Sequence, residues 1–378
     1  MKRVIICDFV EYNDRINKLG NYHYANCFAK DGWEVLWMSN PFNELIYIKD
    51  KEDYRFKKSI ASPKRHKLAN NIYGFAPYSL RLYGNYLFSR DEKIVLNNQK
   101  YMFPNIKKSL KKIGFDKVDL LWISNPKYYY LTNVVEYDKL VFRIPDDFAH
   151  HNGFPESVIE IEKRLIDKSD FIFVTSKFLE NKVLERNKKP YLLNNGVDYD
   201  HFSQQNLTVP CEYQGKDKRV VYVGAIDEWF DVGLIKEMAT ELKVNIFIIG
   251  RPRIDLSEIK DMDNVNILGP RPYDEIPDYL KNADVAIIPF IKNQLTDAVS
   301  PIKLYEYASS GIPVVSTDLK EVKNTMAPIY VAKDNSDFLV GIQKYLNKEY
   351  NREEIINFGF NNSWRARYEY AMKIINER

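Results

Sequence analysis

The sequence predicts an α/β chain built from two doubly wound domains. Its 378 residues exceed the roughly 250 to 300 that one hydrophobic core serves before a chain divides. Short β-branched apolar runs alternate with segments of helical period, the pattern of parallel sheets. A polar stretch over 204–218 interrupts that alternation, which then begins again. The expected division is 1–203 and 204–351, with 352–378 as a C-terminal helix packing back toward the first domain.

The first element, RVIICDFV at 3–10, suits a strand buried on both faces. Residues 22–30 carry apolar side chains at helical spacing, and Gly32 ends that helix before a second strand at 34–38. Further strands are expected at 120–123, 140–144, 171–174 and 191–193, with a helix over 156–168. In the second series the strands are 220–223, 245–249, 265–268, 285–289, 313–316 and 329–331. Trp364, Tyr368, Met372 and Ile375 then mark one face of a closing helix. Two such sheets create a cleft at the carboxyl ends of their strands, where open α/β sheets bind ligands.

Composition narrows the functional classes. Hydrophobic residues make up 45% and charged residues 28%, the balance of a globular protein. No apolar window approaches the ~18 residues of a membrane span, and the N-terminus is too soon charged for a signal peptide, so a cytosolic protein is expected. Cys7, Cys27 and Cys211 match neither a disulfide framework nor a zinc site and read as reduced core thiols. A net charge of +3 lacks the footprint of a nucleic-acid binder. Basic residues do cluster locally, at Arg55, Lys57, Lys58, Lys64, Arg65 and Lys67, and at Lys107, Lys108, Lys111 and Lys112. A solvated face accounts for both runs. A peripheral surface on anionic lipid, at the inner face of the plasma membrane, is the sharper alternative.

The densest chemical signal is DAVSPIKLYEYASSGIPVVST at 297–317. Ser300 can cap a helix, and Pro301 suits its first turn. The helix N-terminus offers free N–H groups and partial positive charge, as a diphosphate requires. Lys303 adds a formal charge. Glu306, three residues on, lies on nearly the same face and can accept hydrogen bonds from a ribose diol. An ordinary capped helix with an i,i+3 ion pair would read the same way in isolation.

Together with NADVAIIPF (282–290) and NNGVDYDHF (194–202), this stretch resembles the nucleotide-sugar region of GT-B glycosyltransferases. The likeness is strong over 220–317 and weaker before residue 142. It implies two Rossmann-like domains facing each other across a cleft, Glu306 on the ribose, Lys303 on the diphosphate with Ser300, Pro301 and Ile302 at the same helix start, and Gly224 and Arg251 in loops approaching the donor. Arg271 and Tyr273 would sit beside the base. Many retaining members place a second glutamate eight residues before the ribose-binding one, where this chain has Ala298 beside Asp297. The chain therefore resembles bacterial exopolysaccharide and teichuronic acid transferases, including the xanthan glucuronosyltransferase, a subgroup that includes inverting enzymes.

An inverting transfer needs a base within reach of the acceptor hydroxyl. In FRIPDDFAHHNG (142–153), Asp146 and Asp147 follow an expected strand and are the candidates, left unseparated; one of them is also suited to capping the next helix. His150 and His23 are acceptor-site candidates, and His151 packs or assists. DMD at 261–263 reads as surface, and no metal site or bound cofactor is expected. GxxxxGK[ST], HExxH and CxxC patterns are absent from the sequence. The expectation is a metal-independent transferase that moves a sugar from a nucleotide diphosphate sugar, UDP-linked by preference, to a glycan or lipid-linked acceptor. The rivals are a UDP-sugar 2-epimerase of the same fold and a non-catalytic relic serving as a partner subunit or glycan-binding module.

Overall fold

A computed structural model describes residues 1–14, 18, 20–85, 89–148, 154–204, 208–293, 296 and 302–377. Asp297, Ala298, Ser300, Pro301, His150 and His151, singled out above, lie outside the described residues. The chain forms two compact units, one of Met1–Leu193 with Ala371–Arg378 and one of Asn194–Tyr370.

The first unit holds strands β1 (Arg3–Cys7), β2 (Glu34–Met38), β3 (His66–Ala69), β4 (Ile72–Phe75), β5 (Tyr78–Ser79), β6 (Met102–Phe103), β7 (Lys117–Ile123), β8 (Glu136–Ile144), β9 (Phe171–Val174) and β10 (Pro190–Leu192). Its helices are α1 (Gly20–Lys30), α2 (Glu44–Lys49), α3 (Lys51–Ser59), α4 (Glu92–Leu96), α5 (Ile106–Ile113), α6 (Val158–Lys168) and α7 (Lys177–Leu184). The main sheet runs β10-β9-β8-β7-β1-β2-β4-β3. β1 lies parallel to β2 on one side and β7 on the other, with Val4 opposite Val35 and Leu120. Both of its faces are covered. Ile5, Leu36, Leu121 and Phe142 share one core, while Trp122 packs on Tyr24 and Phe28.

The small β5-β6 sheet is antiparallel, and one strand of the main sheet also runs against the expected all-parallel pattern. β3 is antiparallel to β4, joined through Asn71 at φ 57°, a left-handed turn conformation that asparagine tolerates. Its sequence, HKLA, is polar and only half-buried, so no apolar run announces it.

The second unit holds β11 (Arg219–Val223), β12 (Asn245–Ile249), β13 (Val265–Gly269), β14 (Val285–Ile288), β15 (Val314–Ser316) and β16 (Tyr330–Val331). All its strands are parallel, in the order β13-β12-β11-β14-β15-β16. The helices are α8 (Tyr199–Phe202), α9 (Val232–Glu241), α10 (Ile276–Lys281), α11 (Ile302–Ser310), α12 (Lys320–Asn324), α13 (Asn335–Leu346) and α14 (Arg352–Asn361). A last helix, α15 (Trp364–Asn376), follows.

The division between units falls at Leu193/Asn194, earlier than the 203/204 boundary expected. β10 completes the first sheet, and the chain beyond it sinks Val197 and Phe202 into the second core. The polar stretch that suggested a linker is anchored there too, because Tyr213 is fully buried and donates its hydroxyl to the Tyr279 carbonyl. The C-terminal segment also departs from expectation. It is two helices broken at Asn362–Ser363, and Arg352–Tyr370 belongs to the second unit. Only the end of α15 belongs to the first, where the Lys139 ammonium bonds the Ile375 carbonyl.

Two smaller expectations are corrected. Cys7 and Cys27 are buried free thiols, but Cys211 is exposed. In the basic runs, Lys57 is buried against Glu11 and Asp53, and Arg65 is paired with Glu34, so neither is free to meet lipid. The four lysines of α5 do face outward, while its Ile106, Leu110 and Ile113 are spent in the core. Among the described residues no helix is long and apolar enough to cross a membrane.

Candidate functional site

In the second unit, two glycines end adjacent strands. Gly224 follows β11 and donates its N–H to the Ile249 carbonyl at 2.9 Å. Gly250 follows β12, and a Cβ there would stand 1.7 Å from the Gly224 carbonyl oxygen. Only glycine permits this approach. Beyond it the two loops stay joined, by Ile226 N–H to Arg251 O at 3.3 Å and Arg253 N–H to Ile226 O at 2.8 Å. The Tyr222 hydroxyl braces the loop by donating to Ala225 O at 2.7 Å. Arg251 itself projects outward and is exposed.

α11 is set against the same strand end by one side chain. The buried Tyr307 hydroxyl accepts from Val223 N at 2.9 Å and lies 3.1 Å from Val223 O, to which it donates. Burial pushes this phenol well above its ordinary pKa, so it stays a neutral double-duty group. On the far side of α11, α14 approaches so closely that a Cβ on Gly359 would lie 2.7 Å from Ser309 Cα. Tyr305 stacks on Phe358 with centroids 5.8 Å apart. Gly311, at φ +72°, closes the helix.

The result is that Lys303 and Glu306 meet beside the glycine loop. Lys303 Nζ donates to Glu306 Oε2 at 2.9 Å, with the lysine side chain 33% and the glutamate 9% exposed. Lys303 Cε lies 3.6 Å from the place a Cβ would take on Gly224. Ile302, half-buried, opens the helix. The arrangement offers a cation and a carboxylate acceptor next to a side-chain-free backbone loop, which suits an anion joined to a diol.

Arg271 is bonded within its own unit. Its guanidinium donates to Glu212 Oε1 at 2.8 Å, Tyr279 Oη at 2.9 Å and Leu268 O at 2.7 Å. The bond from Arg271, with Glu212's own backbone N–H next, holds the Glu212 carboxyl down at about 2. Arg271 is thus committed to joining 212 to the strand end after β13. Tyr273 stacks face to face on His201, centroids 4.3 Å apart, and its carbonyl bonds His201 Nε2 at 3.1 Å.

In the first unit the adjacent aspartates separate. Both follow β8, but Asp147 accepts from Lys182 Nζ at 2.5 Å, and Lys182 also reaches Glu162 at 3.2 Å. Burial works against the Lys182 ammonium, yet Glu162 and Asp147 outweigh it and raise its pKa. Burial likewise lifts Glu162, against the pull of Lys182. Asp146 is exposed and accepts the Asp147 N–H at 2.8 Å. His23, half-buried in the first turn of α1, has its Nε2 3.2 Å from Lys18 O and an edge contact with Tyr22.

Sequence reasoning missed Asp8, a buried carboxylate immediately after β1. Burial raises its pKa, opposed by the Phe9 N–H at 2.7 Å and by Arg143. A charged residue at the carboxyl end of an apolar strand was the available signal. It also missed Tyr307 and Lys182, whose partners are remote in sequence.

Residues 217–348 match the family described as Glycosyl transferases group 1. The chain is 27% identical over 281 residues to TuaH of Bacillus subtilis (strain 168), named as a glycosyltransferase of teichuronic acid biosynthesis, covering 67% of this chain and 70% of that protein. An Escherichia coli trehalose-6-phosphate structure bound with UDP-2-fluoro glucose aligns over 100% of this chain and 99% of its own, at TM-score 0.68 and 11% identity. Anabaena Alr3699/HepE in complex with UDP aligns over 100% of both chains, at TM-score 0.65 and 11% identity. Two α/β units aligning along the whole chain with these structures give the protein the GT-B fold, and its second unit is similar to group 1 glycosyl transferases.

Proposed function

We propose that the second unit binds a nucleoside diphosphate sugar, UDP-linked by preference, and that the first unit binds a glycan or lipid-linked acceptor of cell-envelope polysaccharide synthesis. The observation that carries this reading is the Lys303–Glu306 pair beside the Gly224–Gly250 contact. A close-approach glycine loop admits phosphate oxygens, the ammonium keeps donors for them, and a carboxylate one turn deeper meets a ribose diol. The developing charge on the leaving diphosphate is neutralised by Lys303, which performs the part a divalent ion plays in other transferases. The UDP complexes of Alr3699/HepE and the teichuronic acid assignment of TuaH favour the donor base and the acceptor class.

For the proton, Asp146 is the base of choice. Its carboxylate is exposed, although one oxygen accepts the Asp147 N–H, whereas the Asp147 carboxylate is engaged by Lys182. Membrane contact is supported by α2, which presents Leu45, Tyr47 and Ile48 to solvent beside Lys49 and Lys51. Apolar side chains among lysines suit an anionic headgroup layer.

The test is a transfer assay with UDP-, GDP- and ADP-sugars against prenyl-linked and free glycan acceptors. Acceptor-dependent release of the nucleotide, lost in Lys303→Ala, supports the reading. Donor conversion with no acceptor present would replace it with an epimerase, and nucleotide binding without turnover would replace it with a binding module.

A further inference from the structure

The first unit contains a cavity of about 590 Å³, within the size range of small-ligand pockets. It lies at the carboxyl ends of β1, β2 and β7, where the walls include Phe9, Asn40 and Asn125. Asn125 ties these ends together. Its amide donates to Asn40 Oδ1 at 3.3 Å and Asp8 O at 3.4 Å, and its Oδ1 accepts from Lys127 N at 3.1 Å. That last bond caps the 3₁₀ segment Pro126–Asn133, so the position of Lys127 is set from the sheet.

Three lysines line the cavity, Lys49 from α2, Lys57 from α3 and Lys127. They are not equivalent. Lys57 is neutralised by Asp53 at 2.8 Å and Glu11 at 3.3 Å. Lys127 has no carboxylate within ion-pair distance among the described residues, and its ammonium instead lies 4.8 Å over the Phe154 ring. Burial, with the charges of Lys49 and Lys57, lowers its pKa to about 8. A largely buried ammonium with no counter-charge is costly to keep.

We propose that this cavity binds an anionic group of the acceptor, a phosphate or a sugar carboxylate, with Lys127 as its principal counter-charge and Lys49 as the second. The proposal rests on the reading of the first unit as the acceptor side. Asn40 and Asn125 supply amide donors and acceptors for the sugar hydroxyls around the anion. α2, which lines the cavity with Ile46 and Lys49, adds an apolar margin outside that lining, where Leu45 is 64% and Ile48 80% exposed. That margin suits a sugar joined through phosphate to a hydrocarbon chain, while a uronate would use the lysines alone.

Calorimetry on the full chain distinguishes these cases. Geranyl diphosphate, methyl β-D-glucuronide and methyl β-D-glucoside are titrated at pH 7 with UDP saturating, so that no diphosphate enters the donor site. UDP titrated alone reads the donor site separately, and its failure would count against the donor assignment and not against the cavity. The expected result is binding of an anionic probe that weakens at least tenfold in Lys127→Gln and is retained in Lys127→Arg, with UDP affinity unchanged. Preference for geranyl diphosphate identifies a lipid phosphate; preference for the glucuronide identifies a uronate. Wild-type affinity should also fall by up to about tenfold per unit as pH rises above about 8, because the ammonium of Lys127 is lost there. Equal binding of the neutral glucoside, no binding of either anionic probe, or full affinity in Lys127→Gln would overturn the proposal. Should Lys127→Gln not fold, the wild-type pH series decides alone, and a flat profile counts against it.

Discussion

Lys303 Nζ lies 2.9 Å from Glu306 Oε2, one helical turn along α11, and the aliphatic stem of the same lysine covers Gly224. The pair keeps the ammonium over the glycine loop before any ligand arrives, so little reorganisation is needed when phosphate oxygens replace part of its shell. Lys303→Ala should therefore lower turnover by about 10²- to 10³-fold, the usual loss for a donor aimed at developing charge. Its Tm should stay near wild type, since an ion pair with a partly exposed lysine contributes ~1 kcal/mol or less. Equal losses of Tm and activity would assign the lysine to the fold alone.

Gly250 is the least replaceable residue of the site. Its missing Cβ would overlap the Gly224 carbonyl, at 1.7 Å, and both partners are backbone that cannot step aside. Gly250→Ala should cost several kcal/mol, in the range of severe core disruption, or displace the loop and abolish nucleotide binding. Denaturant unfolding with parallel nucleotide titration checks this, and an unchanged midpoint together with unchanged affinity would contradict the geometry.

Arg271 should behave as a structural residue with an acid-range signature. Glu212, held at about 2 by Arg271, has a pKa below its unfolded value near ~4.3. Its contribution to stability is full above the unfolded value and disappears as pH falls toward 2, because the unfolded chain then binds the extra proton. Solvent screening limits it to the order of 1 kcal/mol. Arg271→Met should lower Tm at neutral pH and flatten the loss of stability between pH 4.5 and 2, with nucleotide affinity changed less than threefold. A large affinity loss at unchanged stability would restore the base-binding role implied by resemblance.

The two aspartates after β8 should separate by readout. Asp147→Asn leaves Lys182 to Glu162 alone and should reduce Tm by a few degrees. Asp146→Asn, at an exposed position, should leave Tm unchanged while turnover drops by about 10²-fold or more, as expected for loss of a general base. The reverse pattern, in which Asp147→Asn abolishes turnover at unchanged Tm, would move the base to Asp147.

What could be read in advance divides along physical lines. β1, β2, β9 and β12 were legible because each is a short apolar run with both faces covered. β3 was not, since HKLA is held by pairing to β4 and not by burial. α11 announced itself through local chemistry, with Lys303 and Glu306 three residues apart. The bond between Arg271 and Glu212 was not legible, because the two are 59 residues apart. The distinction between Asp146 and Asp147 depended on Lys182, 35 residues beyond Asp147. Contacts of that range are settled by packing, and no periodicity encodes them. The domain boundary slipped for a related reason, because the polar stretch over 208–218 is anchored by the buried Pro210 and Tyr213.

The most direct test of the donor assignment is calorimetric binding of UDP, GDP and ADP to the wild-type chain and to Glu306→Ala. Selective binding of one nucleotide, UDP by preference, is expected, weakened at least tenfold in the variant, or about 1.4 kcal/mol, with the variant folded. Binding of none of the three, or full affinity in folded Glu306→Ala, would contradict that assignment.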